Sequence, residues 1–346
     1  MGDIAKGVLG GAWTLLVGWI LPTALNLAVF LLAVAPSLHG LGPVDRLRGA
    51  SGPTVGLALL AGALLLGLVA NACQTTLYRV LEGYLLWPAG LFEAGCRRSR
   101  RSKAFLSNRL TVLRLERRRD ERGGSLGTED AQQLAQLLSD ERLARMVGKD
   151  RRRSAVQRAV LRERLSRFPI ADDQIAPTRL GNAIRRFEEY GLDRYGLDTQ
   201  LLWNELTGCV PDQIRRQTEL ARASVDFFVA LLAGHAAVAV AAVLALAFGE
   251  QPDHFVLLGT AILLTALVPV WYRSAVTATD EWTAAVRALV NTGRKPLATA
   301  LGLTLPQSLA RERDMWTMVS RLSRIPFHER AAALDSFRAE SSSEPG

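Results

Sequence analysis

Catalytic signatures are missing from this 346-residue chain. It has no phosphate-loop GxxxxGKS/T, no GxSxG and no HExxH. Its four histidines, His39, His235, His254 and His328, are scattered. Asp172-Asp173 and Glu188-Glu189 are paired carboxylates with no His or Cys beside them. Only three cysteines occur, Cys73, Cys96 and Cys209, without a CxxC or Cys/His pattern, so neither zinc nor a disulfide scaffold is suggested. Lysine is scarce as well. Lys6, Lys103, Lys149 and Lys295 stand against 38 arginines. Arg and Ala codons are GC-rich, so this bias reads as genomic and not as a choice of arginine for phosphate recognition. The expectation is a non-enzymatic protein with no cofactor and no resident metal.

The most informative absence is of charge. No charged residue occurs from Val8 to Leu38, from Gly49 to Tyr78, from Phe227 to Phe248, or from Phe255 to Tyr272. A bilayer core of about 30 Å needs roughly 20 apolar residues in a helix. Backbone groups cannot go unpaired in lipid, so all four runs are expected as transmembrane helices. The first run is too long for the apolar core of a cleavable signal, and Pro36 would follow the candidate Ala33-Val34-Ala35 cleavage box, so it reads as a retained anchor. Pro22 is placed to kink it.

Charge elsewhere orients the runs. Arg97, Arg98, Arg100, Arg101 and Lys103 follow the second; Arg215, Arg216 and Arg222 precede the third; Arg273, Arg287, Arg294 and Lys295 follow the fourth. The connecting loops, His39 to Arg48 and Gly249 to His254, carry little or no positive charge. The positive-inside rule then puts both loops outside and the N- and C-termini in the cytoplasm of a bacterial inner (plasma) membrane.

The predicted fold class is all-α. A four-helix transmembrane region, made of two hairpins, has a helical cytosolic domain inserted between the hairpins and a helical C-terminal tail. The expected divisions are 1–96 for the first hairpin with an interfacial extension, 97–222 for the basic cytosolic domain, 223–273 for the second hairpin, 274–339 for the tail and 340–346 as disordered. Trp87 beside Pro88 predicts an interfacial bend. Thr128 is a candidate cap for a helix bearing Leu134, Leu137, Leu138 and Leu143. A further helix is expected over 151–168. Thr178 is expected to cap a helix that begins with Leu180. Pro211 is placed to start one running straight into the third span. The tail predicts helices over 279–290, 294–301 and 306–322.

Several residues are candidates for function. Arg97 to Arg167 holds 21 basic and 9 acidic side chains. Its first part, with Arg97, Arg98, Arg100, Arg101 and Lys103, is expected to contact anionic head groups of the cytoplasmic leaflet. Only Phe105 interrupts 97–122 with an aromatic ring, so nucleic acid is not the expected partner. The second basic stretch, Arg145 to Arg167, is either a solvated face or a surface for a protein partner or nucleotide phosphate. Asn26, Asn71 and His235 are polar positions within the spans and candidates to line a pore. Small residues four apart, such as Ala63 and Gly67 or Ala230 and Gly234, permit close helix contact within one chain or between copies of a homo-oligomer.

Two groups of motifs carry a resemblance. Pro177-Thr178-Arg179-Leu180-Gly181-Asn182, Arg194-Tyr195-Gly196-Leu197-Asp198 and Leu202-Trp203-Asn204-Glu205-Leu206 form the first. Leu81-Glu82-Gly83-Tyr84, and Pro306 through Glu312 to Trp316, form the second. Together they resemble segments of a group of integral membrane proteins of high-GC actinobacteria that has no assigned activity. The resemblance covers about a third of the chain and implies no catalytic residue. Leu180, Tyr195 and Trp203 are the expected members of a domain joint, or else of a docking surface. The function expected is that of a membrane-anchored scaffold or sensor with a cytosolic helical domain. The alternative is a homo-oligomeric channel or pore-forming effector gated through that domain.

Overall fold

The computed structural model describes residues 12–38, 52–151, 154–249, 252–326 and 329–338. It is all-helical, with no strand among those residues beyond an isolated bridge between Leu303 and Arg338. Four helices are long and apolar enough to cross a membrane: α1 (Ala12–Ser37), α2 (Gly52–Ala72), α11 (Asp212–Phe248) and α12 (His254–Ala300). The His39–Arg48 loop, Arg152-Arg153 and the 340–346 tail, on which expectations also rested, lie outside the described residues.

By contact the chain divides into two units. One comprises Met1–Val80 with Arg194–Gly346, and the other Leu81–Asp193. The sequence reading set these boundaries at 96/97 and 222/223.

In the first unit α1 packs against α2 and α11, and α11 packs along α12. Pro22 does not break α1. Two wide π-helical stretches, Leu16–Ile20 and Phe30–Val34, flank the α-helical part that contains it. The proline lacks an N–H, and the wider turn before it absorbs the displaced ring. At one end of these helices Val34, Val238, Ala239, Ala242, Ala245, Leu257, Ala261 and Leu264 form a continuous apolar core. Asp253 caps α12 by accepting from the Val256 amide at 3.1 Å. Gly62 and Gly67 of α2 face α1. Gly67 lies against Ile20, where an added Cβ would come within 3.0 Å of its Cα.

The tail departs from expectation. The helices predicted over 279–290 and 294–301 are one with the fourth span: α12 runs unbroken through Pro269 and Pro296. Each proline costs one hydrogen bond to the carbonyl four residues earlier, a local loss that a 47-residue helix tolerates. At 1.5 Å per residue α12 is about 70 Å long, more than twice the hydrocarbon core. Likewise α11 begins at the Pro211 cap and continues to Phe248. Beyond α12 come α13 (Leu309–Leu322) and a 3₁₀ segment, Glu329–Phe337.

A short helix, α3 (Gln74–Glu82), follows α2, and the bend expected near Trp87 and Pro88 lies between it and α4 (Ala89–Glu121). Gly83 at φ +93° and Leu86 at φ +62° make the turn. A left-handed leucine is sterically costly, and Leu86 holds this conformation at an exposed position of the bend. The second unit continues with α5 (Thr128–Leu138), α6 (Glu141–Arg151), α7 (Ser154–Ser166), α8 (Arg179–Glu188) and α9 (Tyr190–Tyr195), the last reaching two residues into the first unit. Two local expectations need correction. Thr128 is the first helical residue and does not cap; Gly127 holds the cap position. Leu143 belongs to a separate helix, because Asp140 accepts from the amides of Arg142 (2.8 Å) and Leu143 (3.1 Å) and starts α6 there. The core of the unit gathers Leu110, Val112, Leu113 and Leu115 of α4 with Leu134, Leu143, Val147 and Leu161. Inside it Arg109 and Asp150, 5% and 3% exposed, form a two-pronged ion pair at 2.9 and 2.7 Å.

Candidate functional site

Three polar clusters are built into the first unit, spaced along α11 and α12. The first stands where the apolar part of α11 begins. Asp226 is buried, and Tyr78 of α3 donates to its Oδ1 at 2.7 Å. Trp19 of α1 also hydrogen-bonds the carboxylate. Arg222, one turn earlier, approaches the other oxygen at 3.8 Å and bonds Gln74 at 3.1 Å. Gly18 leaves room for this, since a Cβ there would lie 3.1 Å from that of Asp226. Three segments thus converge on one carboxylate. A buried charge needs such partners, because an unpaired one costs several kcal/mol.

The second cluster is deeper. Asn26 and His235 are both buried, and Nδ1 of His235 lies 2.7 Å from Oδ1 of Asn26. The Asn26 amide donates to the Pro22 carbonyl at 2.8 Å and reaches the Ala230 carbonyl at 3.4 Å. Gly234 makes this possible, since any side chain there would collide with that amide. Trp271 meets His235 edge-on at 5.8 Å and stacks with Phe228 at 6.2 Å. Asn71, the third intramembrane candidate, is half-buried on α2. The polar groups of Asn26 and His235 are spent on each other and on backbone, which is how a polar side chain is accommodated in a packed helical bundle.

The third cluster lies on the polar extension of α12. Glu312 of α13 is 3% exposed and takes both carboxylate bonds from Arg294 at 2.5 Å. The fully buried Trp316 donates to the same carboxylate at 3.3 Å. The Arg294 guanidinium stacks 4.4 Å from the Tyr195 ring centre, and the Tyr195 hydroxyl donates to Asn291 at 2.9 Å. Gly196, at φ +75°, lets the chain turn against the Arg313 carbonyl, which a Cβ would approach to 2.7 Å. Leu206 and Val210 close on Gly293 of α12 in the same way, at 2.7 Å each. The motif blocks 194–198, 202–206 and 306–316 therefore belong to one knot. The other two blocks form a second knot inside Leu81–Asp193. There Gly83 abuts Pro177, and Thr178 both donates to the Glu82 carbonyl (3.1 Å) and caps α8 at the Gly181 amide (3.0 Å). Asn182 bonds the Ala176 amide at 3.0 Å and its carbonyl at 2.8 Å.

The expected joint residues separate by unit. Leu180 is fully buried beside the second knot, and Tyr195 is buried in the third cluster of the first unit. Trp203 starts α10 (Trp203–Cys209) and is half-buried, while its neighbour Leu206 is the residue that reaches the core. Of the basic collar, Arg97, Arg98 and Arg101 are exposed, Arg97 pairing with Glu93 at 3.3 Å. Arg100 and Lys103 also hydrogen-bond the 170–172 loop: Arg100 donates to the Asp172 carbonyl at 3.1 Å, and Lys103 to Ile170 and Asp172 at 2.6 Å. Among the described residues no group of three or more His, Cys, Asp or Glu side chains is placed to hold a metal ion.

Comparison with protein-family models, curated proteins and solved structures gives no match. Sequence reasoning missed Asp226 and Tyr78 as partners. Their only signal is position: each stands at the end of an apolar run, where a boundary charge and an interfacial tyrosine are both ordinary.

Proposed function

We propose that the protein is a membrane-anchored sensor or scaffold without catalytic activity, in which α11 and α12 link the membrane to a cytosolic helical body. The observation that carries this is the continuity of α12. Its first half is apolar, and its second half supplies Asn291, Gly293 and Arg294 to the third cluster. A displacement of that cluster is thereby transmitted along a single rigid element to the Asn26–His235 level. The reading includes the two-hairpin topology in the plasma membrane, with both termini cytoplasmic and anionic lipid against Arg97, Arg98 and Arg101. The exposed apolar group Tyr84, Leu85, Leu86, Trp87 and Leu91 suits the interfacial layer next to that collar. Membership of the actinobacterial group belongs to the same proposal.

The second reading is a homo-oligomeric channel. What favours it is the outward face of α2, where Leu57, Leu60, Leu64, Leu65 and Leu68 are all exposed and Asn71 supplies a polar group. Asn26 and His235 give it no support, because they are buried against each other. Ion flux in proteoliposomes separates the two. The scaffold reading expects no conductance above protein-free vesicles, and a conductance abolished by Asn71→Leu would replace it with the channel.

A further inference from the structure

Where α11 and α12 leave the membrane, a groove of about 570 Å³ runs between them, lined by Ser224, Phe228, Val270, Arg273, Ser274, Thr277, Ala278 and Glu281. Its composition changes along its length. Phe228 and Val270 lie within the apolar runs. Ser224 precedes Asp226 on α11, and Arg273 to Glu281 follow Tyr272 on α12. The two helices leave the apolar zone together, so one end of the groove is hydrocarbon and the other carries hydroxyls and a guanidinium. From 270 to 281 the groove covers about 16 Å of helix, enough to pass from the acyl region through a head-group layer of roughly 5–8 Å.

The polar end is equipped for an anion. Arg273 is exposed and donates no side-chain hydrogen bond among the described residues; only its carbonyl is used, by Thr277 at 3.0 Å. Ser274 likewise has no side-chain partner there. The Thr277 and Ser224 hydroxyls donate to backbone, at 3.0 and 3.2 Å, and retain acceptor capacity only. Glu281 is the opposing charge, two turns beyond Arg273 at the cytosolic end, where it repels a deeply seated anion less than it would at the Arg273 level. At the apolar end Phe228 is held by its stack on Trp271, and Val270 is exposed, which offers a fixed wall for a chain.

We infer that this groove holds one anionic phospholipid, its phosphate on Arg273 and Ser274 and the start of an acyl chain along Val270 and Phe228. The site differs from the basic collar in being an amphipathic groove and not a set of exposed charges. It depends on the proposed orientation only for which leaflet supplies the lipid.

The test is native mass spectrometry of the full-length protein released from detergent after titration with phosphatidylglycerol or phosphatidylcholine. One phosphatidylglycerol is expected to be retained in preference to phosphatidylcholine. Arg273→Gln should lower its retention about fivefold, the worth of one basic side chain at an anionic surface. Arg273→Lys should keep the preference. Ala278→Trp, which fills the groove without changing charge, should lower retention of both lipids. Arg321→Gln, at an exposed position of α13, should leave the single adduct unchanged. Equal retention of the two lipids, or an adduct indifferent to Arg273→Gln in a protein of unaltered melting temperature, would overturn the assignment. If labelling showed the opposite membrane orientation, the lipid result would stand and only the leaflet would change.

Discussion

The Tyr78 hydroxyl donates to the Asp226 carboxylate at 2.7 Å, joining residues 148 positions apart where two helices emerge from their apolar runs. Bonds to a buried carboxylate contribute about 1.5–3 kcal/mol each. Tyr78→Phe is therefore expected to lower stability in detergent by that amount, read as a fall in thermal midpoint. An unchanged midpoint would show that Tyr78 is incidental to the Asp226 cluster.

In the second unit Arg109 and Asp150 are a pair whose members depend on each other. Replacing one leaves the other charge buried and alone, at about 3–5 kcal/mol. Arg109→Met or Asp150→Leu alone should each destabilise strongly, and the two together much less than their sum. A double-mutant cycle measures this directly, and simple additivity would contradict the buried pairing.

Trp316 and Trp203 should behave differently. Trp316 is fully enclosed and bonded to Glu312, so Trp316→Ala should cost about 3–5 kcal/mol. Trp203 is half-buried, so Trp203→Ala should cost clearly less, and reduced expression should follow the first substitution and not the second. The reverse ranking would place the core of this region at α10.

Cys96 is buried, lies 3.3 Å from the Ile175 carbonyl, and has its thiol pushed above the ordinary value by burial, with Arg100 opposing. A raised thiol value means less thiolate at neutral pH, and so slower alkylation. Maleimide at pH 7 should modify the half-buried Cys209 well before Cys96. The same shift makes the fold lose stability as pH rises past the ordinary thiol range, because the unfolded chain releases that proton first. Equal rates for the two cysteines would contradict the burial.

What was legible in the sequence follows from which physics is local. The four apolar stretches, the Thr178 cap and the Pro211 start depend on a few adjacent residues, and the structure has each of them. The unbroken α12 was not legible, because Asn291-Thr292-Gly293, which separates the helices expected over 279–290 and 294–301, is a stretch of weak helix formers, and the packing of Leu206 and Val210 on Gly293 joins parts distant in sequence. The split between α5 and α6 turns on whether the Asp140 side chain bonds its own backbone, a choice that Ser, Asp and Asn make according to context. The Asn26–His235 and Tyr78–Asp226 pairs join residues 209 and 148 positions apart, a distance over which one sequence carries no signal. The hydrogen bonds from Arg100 and Lys103 to the 170–172 loop join residues about 70 positions apart and are equally silent in the sequence.

The central proposal is a four-span protein whose termini and the segment between the second and third spans lie in the cytoplasm. Its most direct test is single-cysteine labelling in intact cells with a membrane-impermeant maleimide, after Cys73, Cys96 and Cys209 are replaced by serine. His254, Ser125 and Ser323 are all exposed, so burial does not decide the outcome. His254→Cys should label from outside, and Ser125→Cys and Ser323→Cys should label only after the cells are opened. Labelling of Ser125→Cys or Ser323→Cys in intact cells, with His254→Cys protected, would contradict the account.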